Sequence, residues 1–108
     1  MTLAKGKILT ITTAWLEVFP DVLYTAESDV TITYMQYVSE HDADVDVNIF
    51  LNYLDGTIYS IPKDTPSKSV EKTIIQLDTK YSLQAGESIT AIVSVDNVIN
   101  YVIQGDLE

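Results

Sequence analysis

Cysteine is absent from the chain. No disulfide can form, no thiolate can hold a metal, and no thiol can serve as a nucleophile. Arginine is absent as well, so the six basic residues are all lysines, set against sixteen acidic ones for a formal charge of −10. Nucleic-acid binding needs basic groups to displace counterions from phosphate, with arginine the usual reader of base edges. This chain would be repelled, and no nucleic-acid partner is expected. Histidine occurs once, at His41, which excludes a histidine-built zinc site. A hydrolytic triad would have to rest on that one residue, and no Gly-x-Ser-x-Gly elbow accompanies it. The chain therefore reads as a non-enzyme with no catalytic residue. Long apolar runs are lacking too: nothing approaches the roughly eighteen residues of a membrane helix. The start, Met1 to Lys7, carries its lysines after the first apolar residues, unlike a secretory leader. The expectation is synthesis without a signal peptide, and no membrane partner.

What is present points to strands. Hydrophobic residues make up 46% of the 108 residues, enough for one domain with its own core. Val45, Val47, Ile49, Leu51 and Tyr53 alternate with Asp46, Asn48, Phe50 and Asn52, the pattern of a half-buried antiparallel strand. Asp55-Gly56 supplies the tight turn into a return strand, Thr57 to Ile61. Val30, Ile32 and Tyr34 share one face, but apolar Met35 and Tyr37 fall on the other, so either both faces are covered or a bulge switches the phase. Lys7 to Thr13, Val22 to Ala26 and Ser69 to Leu77 read as further strands. The stretch Leu83-Gln84-Ala85-Gly86-Glu87 marks a corner, with Gly86 free to take positive φ. Ser88 to Val95 and Val98 to Gln104, joined at Asp96-Asn97, read as a hairpin. The sum is an all-β chain of about eight strands, an antiparallel β-sandwich of jelly-roll kind. Residues 1–21 form an amino-terminal strand or docking arm, and 22–108 the sandwich.

Few constellations carry chemistry. Asp42, Asp44 and Asp46 match a calcium loop only weakly, because the glycine and the glutamate that the EF-hand pattern needs after them are missing. No cofactor is expected; calcium is the weak alternative. The seven tyrosines outnumber the two phenylalanines, and tyrosine suits partly covered sheet faces and subunit contacts. Trp15, Phe19, Tyr34, Tyr37, Tyr59 and Tyr101 are the interface candidates. Plain sandwich filling is the competing role for the tyrosines, as a core position is for Trp15.

The order Leu23-Tyr24-Thr25-Ala26, then a strand with Ile32 and Met35, then Val45-x-Val47-x-Ile49-x-Leu51, resembles small β-sandwich virion proteins of tailed bacteriophages. The later Ile75-Gln76-Leu77, Leu83-Gln84-Ala85-Gly86-Glu87-Ser88-Ile89 and Gly105-Asp106-Leu107-Glu108 continue the likeness over residues 22–108. The loop Glu40-His41-Asp42 departs from it. The resemblance implies a structural protein of the virion: a capsid decoration or fibre subunit, or a tail accessory. Its partners would be itself, with a trimer favoured, and a capsid or tail protein. A carbohydrate- or receptor-binding module and a calcium-stabilised adhesion domain are the alternatives.

Overall fold

The computed structural model describes residues 1–9, 11–12, 18–19, 21–40, 45–61, 67–69, 74–77, 80–93 and 98–107. The described residues contain strands and turns but no helix. The strands are β1 (Thr2–Lys7), β2 (Ile11–Thr12), β3 (Val18–Phe19), β4 (Asp21–Thr25), β5 (Val30–Ser39) and β6 (Val45–Asn52). They continue with β7 (Ile58–Ile61), β8 (Ser67–Ser69), β9 (Ile74–Leu77), β10 (Tyr81–Leu83), β11 (Ser88–Val93) and β12 (Ile99–Leu107).

Sheet I runs β1-β12-β5, and its last position is shared end to end by β9 and β10, both paired to β5. Sheet II runs β4-β11-β6, with β7 and β8 sharing the last position along β6. Each sheet is thus four strands wide and antiparallel throughout. Numbering the eight positions in chain order gives 1-8-3-6 in one sheet and 2-7-4-5 in the other. First pairs with last, second with seventh, third with sixth and fourth with fifth, as in a long hairpin rolled into two layers. This is jelly-roll connectivity.

The inward faces meet in one core. Val30, Ile32, Tyr37, Ile99 and Ile103 from sheet I pack with Val47, Ile49, Leu51, Ile89 and Ala91 from sheet II. These side chains alternate along their strands because successive residues point to opposite faces. The phase switch in β5 is a bulge. Gln104 pairs with Tyr34 and the next residue, Gly105, pairs with Ile32, leaving Thr33 as the extra residue. Burial accordingly changes from Val30 and Ile32 to Met35 and Tyr37.

The structure corrects three sequence expectations. Ser88 to Val95 and Val98 to Gln104 are not a hairpin: β11 pairs with β4 and β6 in sheet II, while β12 pairs with β1 and β5 in sheet I. Local turn chemistry marks a change of direction but does not decide which sheet receives the next strand. Ser69 to Leu77 is not one strand either, since β8 lies along β6 and β9 along β5. Finally, the first strand of the sandwich, β1, comes earlier than the expected Lys7 to Thr13 strand. Within residues 1–21, β2 and β3 pair with each other and with no other strand among the described residues.

The Leu83–Glu87 corner ties three loops together. Gly86 has φ near 94°. Its N–H donates to the Ala26 carbonyl at 2.8 Å, and the Ala26 N–H donates to the Glu87 carbonyl at 2.9 Å. The Glu87 carboxylate, only 6% exposed, accepts from the Gln84 N–H at 2.6 Å and from the Leu54 N–H at 3.0 Å. Glu87→Ala strands both donors at a partly buried corner, a loss of about 2 kcal/mol. Glu87→Gln, which keeps one acceptor, is expected to fall between that variant and the parent in a urea melt. Equal stability of all three would show that water replaces the carboxylate.

Candidate functional site

The feature that stands apart from the rest of the surface is the outer face of sheet II. Register sets Val22, Thr90, Phe50 and Ser60 in one row across β4, β11, β6 and β7. The flanking rows hold Ile92 with Asn48, and Ser88 with Asn52 and Ile58. None of these residues is charged, although 20% of the chain is Asp, Glu, Lys or Arg. Phe50, Asn52, Ile58, Thr90 and Ile92 enclose a shallow groove of about 160 Å³. Phe50 and Ile92 are half-buried, while Val22 is 57% and Ile58 65% exposed. The Asn52 amide donates to Thr90 Oγ1 at 2.9 Å, which holds the polar part of the face in place.

The outer face of sheet I contrasts with this. It carries Lys5 and Lys7 from β1 and Asp106 from β12, with Glu40 just beyond β5. Lys7 Nζ meets Glu40 Oε2 at 2.9 Å, and the Asn100 amide donates to Glu40 Oε1 at 2.6 Å. The hydrogen bond from Lys7, followed by that from Asn100, holds the Glu40 carboxyl below its ordinary range. An exposed pair of this kind adds little stability, but it marks the face as solvated.

The interface candidates named from the sequence scatter over the fold. Tyr59 is at the edge strand β7 and is 41% exposed, but it pairs with inward-facing Leu51 and so lies on the side of the sheet opposite the uncharged face. Tyr34 lies half-buried on the opposite sheet, its hydroxyl donating to Gln36 Oε1 at 2.5 Å. Tyr37 is corrected outright: at 1% exposure it is core, because the bulge at Thr33 turns it inward. Tyr101 is also filling. Its ring lies against Gly6, where a Cβ would stand 3.6 Å from Cε1, and its hydroxyl donates to the Leu23 carbonyl at 3.2 Å. Burial, then the Asp21 charge, raises the Tyr101 pKa. Trp15, Asp42 and Asp44 lie outside the described residues, as do the side chains of Phe19 and Asp46. Among the described residues no group of three or more His, Cys, Asp or Glu is placed to hold a metal.

Phe50, Ile58, Ile92 and Val22 were not singled out from the sequence. The usable signal was there in β6, where Phe50 breaks an otherwise polar outward set of Asp46, Asn48 and Asn52. Comparison with protein families, with curated proteins and with solved structures finds no match for this chain.

Proposed function

We propose that the chain is a structural subunit that works by protein–protein assembly, identical copies meeting over the outer face of sheet II, in the setting of a bacteriophage virion. The observation that carries the reading is the absence of charge from the three rows around Phe50 in a chain of net charge −10, with Asp46 and Lys68 paired to each other one row beyond, at the β8 end. Two such copies repel through a charged patch. They can approach over Phe50, Ile58, Ile92 and Val22, where covering apolar surface is favourable by about 25 cal/mol per Å². Beside the face, β7 pairs with β6 and has no second strand partner among the described residues. Its free edge, with Ile58 and Tyr59, is the kind that a neighbouring strand can extend.

Jelly-roll order is shared by viral capsid domains, lectins and cupins, and a fold alone does not fix function. The virion setting, the favoured trimer and the docking to capsid or tail protein therefore rest on the sequence resemblance, and the assembly role on the surface. The test is light scattering over a range of protein and salt concentrations. The expected mass is a multiple of 12.0 kDa, and the oligomer tightens as salt screens the repulsion between copies. An interface held by ion pairs would loosen instead. A monomer at every concentration and salt would remove the reading.

A further inference from the structure

We infer that the cleft between β1 and β4 binds a neutral saccharide, a function separate from assembly. The two strands are edges of different sheets, β1 of sheet I and β4 of sheet II, so the cleft opens along one side of the sandwich. It encloses about 530 Å³, within the range of small-molecule sites and roomy enough for one or two sugar rings. Its apolar part comes from Leu3, Ala4 and Leu23, which belong to the core or pack on it.

The polar lining comprises Thr2, Tyr24, Thr25, Ser28 and Glu27. Within the described structure none of these side chains makes a hydrogen bond, whereas the hydroxyls of Tyr34 and Tyr101 are spent internally. Four hydroxyls that both donate and accept, with one carboxylate acceptor, match the alternating donors and acceptors of a sugar. Tyr24 and the leucines supply the apolar area that the C–H faces of a pyranose need. Burial, followed by the Glu27 charge, holds the Tyr24 pKa above its ordinary value, so that hydroxyl remains a neutral donor at pH 7. The Met1 ammonium at the cleft is engaged by the Gly105 carbonyl at 3.1 Å, so Glu27 and the net charge of −10 disfavour an anionic ligand, which sets neutral sugars apart from sialylated ones. None of the cleft-lining residues belongs to the groove on the uncharged face of sheet II.

The test is saturation-transfer NMR and titration of the full chain with maltose, lactose and cellobiose. Sialyllactose and a short Thr- and Val-rich peptide serve as rival probes. At least one neutral disaccharide is expected to bind at about millimolar affinity, with sialyllactose weaker by roughly tenfold or more. Glu27→Gln and Tyr24→Ala are expected to weaken that binding by roughly tenfold. Glu27 is exposed, so its variant stays folded even where Tyr24→Ala does not. Phe50→Asp is expected to bind sugar as the parent does, so failure here and failure of assembly are read separately. The inference is overturned if no neutral disaccharide binds, if Glu27→Gln binds equally well, or if the peptide is preferred and displaces the sugar.

Discussion

Gly105→Ala is expected to lower stability by roughly 3 kcal/mol and the melting temperature by roughly 12 °C or more. The glycine sits where the bulge brings β12 hard against β5. A Cβ at this position would fall well inside the contact distance of the Thr31 carbonyl oxygen, 3.1 Å from Ile32 Cα and 3.0 Å from Leu3 Cδ1. Backbone cannot rotate away as a side-chain tip can, so the strands must separate where their register changes. The movement would also disturb the end of β1, since the Gly105 N–H donates to the Met1 carbonyl at 3.0 Å. Gly56→Ala is the internal control. It meets nothing within 4 Å but has φ near 90°, so it costs only the left-handed backbone penalty of about 1 kcal/mol. Thermal melts of the two variants separate steric from conformational demand. Equal, small losses would mean that β12 and β5 are not this close at Gly105.

Phe50→Asp is expected to convert the oligomer to monomer while leaving the sandwich folded. In the separated chain the new carboxylate sits on a half-buried outward position and is hydrated. In the assembled state it would be covered with no cation opposite it, because neither its own row nor the two flanking rows hold a charged residue. Burying one unpaired charge costs roughly 3–5 kcal/mol, which corresponds to a weakening of association by about a hundredfold or more. Ile58→Lys approaches the same face from its exposed rim. Ile58 is 65% exposed, and lysine on an edge strand is a common device against strand pairing. Light scattering should show both variants as monomers at concentrations where the parent is assembled, with circular dichroism unchanged. An undiminished oligomer in both would place the contact elsewhere.

The uncharged face and the cleft were unequally legible in the sequence. Tyr59 was named from its type and lies on the exposed edge strand β7, on the side of the sheet opposite the uncharged face. Tyr37 was named on the same ground and is core, because its direction depends on one extra residue, Thr33, opposite Gln104 and Gly105. The alternation in β5 signalled that a switch occurs, but which end of the strand faces inward is set by the partner strands. The cleft could not be read at all. Thr2, Tyr24, Thr25, Glu27 and Ser28 form two short runs with no motif, and only the approach of β1 to β4 makes them one lining.

Composition and side-chain alternation were enough for the fold class, the Asp55-Gly56 hairpin, the corner at Gly86 and the apolar face of β6. Each depends on a few neighbouring residues: a period of two, a glycine with φ near 90° or 94°, a turn pair. Tertiary structure alone decided that β11 and β12 part into different sheets, that β8 and β9 do the same, and that an uncharged face and an open cleft result. Those outcomes follow from pairings between strands far apart in the chain, where backbone hydrogen bonds and burial are satisfied together. No local stretch carries the information about which distant strand will complete it.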